Sequence, residues 1–185
     1  PGVSAALPPS APAPREYERV LALLREAAVS GRWPPTSAAR ARVIRAAVGD
    51  AGNGVLGGSF TAANPSLPAA RGNVLFPALC EAVFDLERAL APGRPSSSQC
   101  AINANAEFTP HVDAGRGAGQ STSLLVSLGE HTGGELVVEG VEHAVRYAPL
   151  EFDGWRERHW TRPFAGERFS LVWFTPAEEG GGAAA

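Results

Sequence analysis

The sequence predicts an α+β fold in which helices come first and an antiparallel β-sandwich or barrel follows. Up to about residue 95, apolar residues recur at helical spacing, whereas after Pro95 they alternate in the manner of strands. Glycines divide this second part into short segments, as in hairpins. Because the helices precede the strands along the chain, they are expected to brace one sheet rather than to alternate with its strands.

Helical periodicity predicts three helices before residue 95. Residues 15–30 carry one apolar stripe and stop at Gly31, and residues 37–48 follow a Ser or Thr cap. Residues 76–90 have a proline in their first turn, where its missing N–H costs nothing. The residues expected to face inward are Val20, Leu23, Leu24 and Ala27, then Val43, Ile44 and Val48, and finally Leu79, Val83, Phe84, Leu86 and Leu90.

Residues 49–73 are rich in Gly, Ala, Asn and Pro. This composition predicts a long loop with one short strand at Val55-Leu56. A loop of this length is either a substrate lid or a disordered insertion. The two ends of the chain, residues 1–14 and 177–185, cannot bury enough apolar surface to become ordered, so we expect a disordered linker and a flexible tail.

From residue 99 onward, the sequence predicts short strands joined by glycine turns. In the second of these strands Leu124, Val126 and Leu128 are expected to share one face. The predicted strands are residues 99–105, 121–128, 135–139, 142–147 and 167–174, with turns at Gly133-Gly134 and Gly140.

Length, charge and cysteine content narrow the class of protein. The chain of 185 residues is the size of one domain, which we place at residues 15–176, with a helical part at 15–95 and a strand core at 96–176. A formal net charge of −3 provides no general attraction to nucleic acid, which would need a local basic groove. Cys80 and Cys100 are too few for a disulfide framework and are expected to be buried thiols.

The sequence shows no recognisable targeting or membrane segment. No stretch stays apolar for the roughly 20 residues that a membrane span needs, and the first residues lack the order of a signal peptide. We therefore expect an intracellular protein, in the cytoplasm or the nucleus, with no membrane partner.

The tripeptide His111-Val112-Asp113 is the centre of the strand region. On an extended strand, an imidazole and a carboxylate in this spacing leave the backbone on the same side, so both can reach one metal ion. A lone His-x-Asp is also common as a surface pair, so the hypothesis needs a third ligand. His159 is the best candidate, and two histidines with one carboxylate suit non-haem Fe(II). His131 and His143 are rivals that we expect to be ordinary surface or core histidines.

Arg168 lies inside an apolar run, next to Phe169. A buried guanidinium must be paired or must face a cavity, because an unpaired buried charge is costly. A dicarboxylate ligand would supply the partner through two parallel hydrogen bonds, and Ser170 points to the same side as Arg168. The alternative is a structural ion pair between Arg168 and an acid of the core.

The combination of His111-x-Asp113, His159 and Arg168-x-Ser170 resembles the signature of the Fe(II)- and 2-oxoglutarate-dependent oxygenases. This resemblance implies a double-stranded β-helix (jelly roll) with N-terminal supporting helices. It covers residues 99–176, including the turn at 133–136 and the segment at 150–154.

The resemblance also implies cofactors and roles. The cofactors are Fe(II) and 2-oxoglutarate, with ascorbate as a reductant, and the reaction oxidises or hydroxylates a C–H bond with O2 and releases succinate and CO2. Asn103 and Asn105 either bind the cosubstrate or orient a ligand, or else cap a strand edge. The implied iron ligands and catalytic residues are His111, Asp113 and His159, and the residues implied to bind the distal carboxylate of 2-oxoglutarate are Arg168 and Ser170.

The substrate is the feature that the sequence determines least. The Asn103-x-Asn105 pattern and the Gly-Gly-Glu-Leu turn at 133–136 are similar to the TET and base-J-binding-protein group, which implies a methylated nucleobase in DNA. Prolyl or other peptide hydroxylation and small-molecule oxidation are alternatives, since those enzymes share the same metal and cosubstrate residues. A catalytically silent jelly roll used for binding is the non-enzymatic alternative.

Overall fold

A computed structural model describes residues 11–46, 57–67, 71–113 and 122–176 of the chain. None of the helices in these ranges is long and apolar enough to cross a membrane. The helices are α1 (Arg15–Val29), α2 (Ala38–Ala41), α3 (Arg71–Leu75) and α4 (Pro77–Leu90). The strands are β1 (Ile44–Ala46), β2 (Gly58–Ala63), β3 (Gln99–Ala104), β4 (Ala106–Phe108), β5 (Ser123–Leu128), β6 (His131–Gly133), β7 (Leu136–Val138), β8 (Val141–His143), β9 (Leu150–Phe152), β10 (His159–Thr161), β11 (Phe164–Gly166) and β12 (Phe169–Phe174).

The largest sheet has five strands in the order β2-β3-β12-β5-β9, and every neighbouring pair in it is antiparallel. At its centre, Leu171 of β12 stands opposite Ile102 of β3 on one side and Val126 of β5 on the other. Three smaller antiparallel sheets, β10-β7-β8, β11-β6 and β1-β4, complete the strand region. The described residues therefore confirm that antiparallel strands follow residue 95, but strands β1 and β2 lie between the helices, before α3 and α4.

Both faces of the five-stranded sheet are buried. Leu124, Val126 and Leu128 pack with residues of α1 and α4 in the main core, as their alternation predicted. Leu125, between them in sequence, packs on the opposite face with Leu136 of β7 in a second apolar cluster. Nearly the whole of β3 is buried as well, and on the face that looked polar in the sequence Asn103 forms hydrogen bonds with Ser59 and Ser170 of the two neighbouring strands.

The first and third predicted helices are confirmed within a residue at each end, as α1 and α4. Pro77 is the first residue of α4, where the helix has no use for its missing N–H. Cys80 in α4 and Cys100 in β3 are both free and buried, as predicted. Burial raises the pKa of the Cys80 thiol to about 12, so it is an inert apolar group rather than a nucleophile.

The predicted helix at residues 37–48 is wrong over most of its described length. Ser37 does cap a helix, because its side chain accepts a hydrogen bond from the Arg40 backbone N–H, but that helix ends at Ala41. The chain then becomes strand β1, in which Ile44 stands opposite Phe108 of β4. Pairing with a distant strand outweighs the local helical pattern here, and Val48 lies outside the described residues.

The predicted loop at residues 49–73 contains two regular elements. Strand β2 pairs with β3 along its whole length, from Gly58 opposite Ala104 to Ala63 opposite Gln99. Gly72 in α3 lies against Phe60 of β2, since a Cβ added at Gly72 would stand 2.7 Å from that ring. The glycine and alanine content that suggested a loop instead permits close packing, and Val55-Leu56 lies outside the described residues.

We expect Trp173→Ala to lower the free energy of unfolding by about 3–5 kcal/mol, because the indole fills the centre of the main core. Trp173 is fully buried, and its indole N–H donates a hydrogen bond of 3.1 Å to the carbonyl of Val83 in α4. Chemical denaturation measures the change. Val74→Ala, at a side chain that is 73% exposed, is the control and should change stability by less than about 0.5 kcal/mol. Equal stability of the two variants would contradict this packing.

Candidate metal and anion site

Backbone pairing brings His111 and His159 together although they are far apart in sequence. The two residues form an isolated antiparallel bridge in which each backbone N–H donates to the carbonyl of the other, at 3.0 and 2.8 Å. Their imidazole ring centres lie 4.4 Å apart. The next part of the chain is held by Asp113, whose N–H donates to the Gly154 carbonyl at 2.8 Å. These main-chain bonds place all three predicted ligands at one point of the fold.

The two imidazoles are oriented by backbone carbonyls. Nδ1 of His111 lies 2.7 Å from the carbonyl oxygen of Thr109, and Nδ1 of His159 lies 2.9 Å from that of Glu157. A carbonyl oxygen only accepts, so we assign the ring proton of each histidine to Nδ1. This tautomer leaves the Nε2 lone pair of both rings available for a metal ion. Histidines that bind metal are usually oriented in this way, by a hydrogen bond from the other ring nitrogen.

The donor atoms converge. Nε2 of His111 and Nε2 of His159 each lie 3.8 Å from Oδ1 of Asp113. One ligand atom from each of the three residues lies within 4.8 Å of the other two. Burial lowers the pKa of His111 below its ordinary value, and the neighbouring His159 lowers it further, so the ring is neutral at neutral pH. Two imidazoles and one carboxylate are the donor set that suits non-haem Fe(II).

Gly154 makes room for the carboxylate, a role that the sequence reasoning missed. A Cβ added at Gly154 would stand 2.6 Å from Oδ2 of Asp113. The sequence grouped Gly154 only with the segment that leads to His159. No local pattern reveals the contact, because it joins residues from two distant parts of the chain.

Arg168 is a buried cation whose guanidinium has a hydrogen-bond donor without a partner. Its side chain is almost completely buried, and its NH2 group donates to the Gly134 carbonyl at 3.0 Å, while its Nε has no hydrogen-bond partner. Burial lowers the pKa of Arg168 to about 10, which still leaves it cationic at neutral pH. Glu135 attracts the guanidinium, but among the described residues no carboxylate forms a direct ion pair with it, so no structural pair of the kind weighed in the sequence is present there.

Ser170 and the two asparagines form a hydrogen-bonded layer around Arg168. Asn103 donates through Nδ2 to the Ser170 hydroxyl oxygen at 3.1 Å and accepts a hydrogen bond of 2.6 Å from the Ser59 hydroxyl. The Ser170 proton therefore stays free to donate to a ligand. Asn105 accepts from the Arg168 backbone N–H at 3.0 Å, so it holds the start of β12 in place. Both asparagine side chains thus make contacts that would position Ser170 and Arg168.

One cavity joins the histidine and arginine ends of the site. It has a volume of about 580 Å³, within the range of small-molecule sites. An imidazole pair and a carboxylate stand in its wall together with a buried guanidinium and a serine hydroxyl. The lining includes His111, Asp113, His159, Arg168 and Ser170, together with the apolar side chains of Leu125, Leu136, Phe152 and Val172.

His131 and His143 stand outside this group of ligands. His131 is buried, with Nδ1 2.9 Å from the Gly133 carbonyl oxygen and Nε2 3.3 Å from the Ser127 hydroxyl. Burial and, secondarily, the charge of Arg168 lower its pKa to about 3. It is a satisfied neutral core histidine, and His143 lies in the peripheral strand β8.

We expect Gly134→Ala to weaken 2-oxoglutarate binding by displacing the Arg168 guanidinium. A Cβ at Gly134 would stand 2.6 Å from Nε and 2.8 Å from Cδ of Arg168. The matched control is Gly140→Ala, because Gly140 also has a positive φ (84° against 78°) but has open space around it. Calorimetric titration with 2-oxoglutarate should show weaker binding only for Gly134→Ala. Equal affinities in the two variants would show that the contact is without consequence.

Comparisons with known proteins place the chain in a fold group. No family model matches the sequence, and no curated protein matches it either. Among solved structures, a Pseudomonas putida prolyl-4-hydroxylase is similar with a TM-score of 0.52 and 20% identity, over 89% of this chain and 88% of that chain. A Burkholderia pseudomallei oxidoreductase of the 2OG-Fe(II) oxygenase family has a TM-score of 0.46 and 21% identity, over 85% of this chain and 81% of that chain. NgTET1 in complex with 5mC DNA has a TM-score of 0.42 and 15% identity, over 64% of this chain and 60% of that chain.

The first of these similarities carries the structural relationship. Both chains are covered almost completely, and the TM-score is 0.52. The protein therefore shares its fold with this prolyl-4-hydroxylase.

Proposed function

We propose that this protein is an Fe(II)- and 2-oxoglutarate-dependent dioxygenase built on a double-stranded β-helix. One observation carries the proposal: the imidazole pair with Asp113 and the unpaired guanidinium of Arg168 line the same cavity. The shared fold supports it, because His159 and Ser170 lie on strands of that fold, β10 and β12. A catalytically silent binding module would not need both the three metal-ligand residues and the buried, unpaired guanidinium of Arg168 in one cavity.

In this proposal each residue of the site has one task. His111 and His159 present Nε2, and Asp113 presents a carboxylate oxygen, to one ferrous ion. Arg168 pairs with the distal carboxylate of 2-oxoglutarate, and the Ser170 hydroxyl donates a hydrogen bond to the same group. Bound iron and 2-oxoglutarate would supply the O2 chemistry that oxidises a C–H bond and yields succinate and CO2.

The apolar part of the cavity wall would exclude water from the reacting groups. Leu125, Leu136 and Phe152 belong to the second apolar cluster, and their side chains also face the cavity. A wall of this kind strengthens electrostatic interactions inside the cavity and limits side reactions with water.

For the substrate we propose a peptide, with prolyl hydroxylation as the first candidate. The support is the fold shared with a prolyl-4-hydroxylase over nearly the whole of both chains. The sequence favoured a methylated nucleobase in DNA, but nothing in the described residues supports it. Two arginines close to His159 in sequence are paired with acids, Arg156 with Asp153 at 3.7 Å and Arg162 with Glu142 at 3.1 Å, so these two do not offer free charges to a phosphate backbone.

A succinate-release assay with Fe(II), ascorbate and 2-oxoglutarate tests the proposal. Prolyl peptides, methylated DNA duplexes and small metabolites are supplied in parallel, and His143→Ala serves as a control variant outside the site. We expect substrate-dependent succinate release with the peptides and full activity in the control. Release with methylated DNA alone would restore the nucleobase hypothesis. A purified protein that takes up neither iron nor 2-oxoglutarate would be a silent jelly roll.

A further inference from the structure

A second guanidinium lies in the wall of the metal cavity. Arg40 belongs to α2 and lines the cavity together with Ser37, Ala39 and Val43 from the same segment. Its side chain is partly buried. Among the described residues, none accepts a hydrogen bond from this guanidinium or forms an ion pair with it. Arg40 is thus a cation at the site that the roles assigned so far do not use.

One carboxylate of the site, that of Asp113, provides the main attraction for the positive charge of Arg40. Burial lowers the pKa of Arg40, and the attraction that most resists this lowering comes from Asp113. No hydrogen bond or ion pair joins the two side chains, although both line the cavity. If Asp113 binds a metal ion, its negative charge is committed to that ion. Arg40 then loses the only carboxylate that offsets its burial.

This argument rests on the proposed function, which allows the charges in the cavity to be counted. Among the groups that line the cavity or would be bound in it, the two positive charges of Fe(II) and the one of Arg168 balance the two negative charges of 2-oxoglutarate and the one of Asp113. Glu135 attracts Arg168 but does not line the cavity. The loaded site is therefore neutral without Arg40. Arg40 adds one uncompensated positive charge to a partly apolar cavity, which is unfavourable unless an anion joins it.

We propose that Arg40 binds a carboxylate group of the substrate, and hence that the protein oxidises a C–H bond beside a carboxylate. The planar guanidinium binds a carboxylate through two parallel hydrogen bonds and would orient the substrate within the cavity. The carboxylate comes either from the α-carboxyl of the oxidised residue itself or from an acidic side chain next to it in a peptide. Arg40 is in this sense a specificity-determining residue.

The test measures binding rather than turnover. The protein is loaded with Mn(II) and the inert 2-oxoglutarate analogue N-oxalylglycine, and NMR records how strongly the paramagnetic ion broadens the proton signals of added probes. One pair of probes is N-acetyl-L-proline and its amide. The other pair is acetyl-Pro-Glu-amide and acetyl-Pro-Gln-amide, so the two pairs separate the two sources of the carboxylate.

We expect at least one acid to be bound about tenfold or more tightly than its neutral partner, because a charge-assisted pair is lost in the amide. Arg40→Gln should abolish this preference while it retains metal and N-oxalylglycine. Arg42→Gln is the matched control, since Arg42 follows α2, is exposed and does not line the cavity. Its preference should equal that of the unmodified protein.

Several results would overturn the assignment. The first is equal broadening of the acid and amide signals, and the second is no broadening of the signals of any probe. The third is a preference for the acid that survives in Arg40→Gln. Weaker N-oxalylglycine binding in Arg40→Gln would instead place Arg40 in the cosubstrate site and refute its role toward the substrate. Failure of the unmodified protein to bind Mn(II) and N-oxalylglycine is a different outcome. It would contradict the proposed function and remove the charge count that depends on it.

Discussion

Asp113→Ala is expected to abolish turnover and to weaken metal binding by more than about 100-fold. The variant removes the one carboxylate of the ligand group and leaves two imidazoles, whereas loss of a mere second-shell partner already costs about 10–100-fold. The protein should stay folded, because Asp113 is held through its backbone N–H and its side chain is 36% exposed. Metal titration by calorimetry and the succinate assay measure the two effects.

The control for Asp113→Ala is Glu142→Ala. Glu142 is an exposed acid that pairs with Arg162 at 3.1 Å, away from the ligand group. It should keep full metal affinity, since exposed ion pairs contribute little. Full activity of Asp113→Ala under the same conditions would remove Asp113 from the ligand set.

Arg168→Ala is expected to weaken 2-oxoglutarate binding by roughly 30-fold or more, because removal of one partner of a buried charge pair costs about 2–5 kcal/mol. Metal affinity should stay unchanged, which separates this variant from Asp113→Ala. Folding should be retained, since the substitution removes a buried charge that forms no direct ion pair with a described carboxylate. Calorimetric titration of the Mn(II)-loaded protein with 2-oxoglutarate measures the change.

Two further variants sharpen the Arg168 experiment. Arg168→Lys keeps the charge but loses the planar fork, so its affinity should fall between those of Arg168→Ala and the unmodified protein. Arg162→Gln removes an exposed arginine that pairs with Glu142 and should leave 2-oxoglutarate affinity unaltered. An unaltered affinity in Arg168→Ala would move the carboxylate site elsewhere in the cavity.

Secondary structure was predicted best from the sequence for segments that bury one regular face. The stripe of α1 and the stripe of α4 repeat at helical spacing, and Leu124, Val126 and Leu128 alternate, so each pattern reports directly on the packing of its own element. The candidate ligands could also be named, because His111 and Asp113 are two residues apart and His159 precedes an apolar run. The structure places His111 in an isolated bridge rather than on the strand that this spacing predicted. The roles of these three residues remain predictions, although the structure brings their donor atoms together.

Elements that depend on a distant partner could not be predicted. Strand β2 is rich in small residues, and only its pairing with β3 and the packing of Phe60 make it a strand. The residues after Ala41 look helical in isolation, yet β1 pairs with β4. In both segments contacts between remote parts of the chain outweigh local propensity.

The residues that hold the metal and anion site in place could not be predicted for the same reason. Gly134 and Gly154 matter because side chains from other strands approach them closely, and a glycine in a sequence does not show what lies beside it. For Asn103 the sequence left open binding of the cosubstrate, orientation of a ligand or a cap at a strand edge, and it could not show the hydrogen bonds of its amide with Ser59 and Ser170. Arg40 gave no signal at all, since its place in the cavity follows from where the chain folds α2.

The most direct test of this account is anomalous X-ray diffraction from crystals grown with Mn(II) in place of Fe(II). We expect a single strong anomalous peak in contact with Nε2 of His111, Nε2 of His159 and a carboxylate oxygen of Asp113. A peak elsewhere, or bound metal at the Nδ1 atoms that now face backbone carbonyls, would contradict the account.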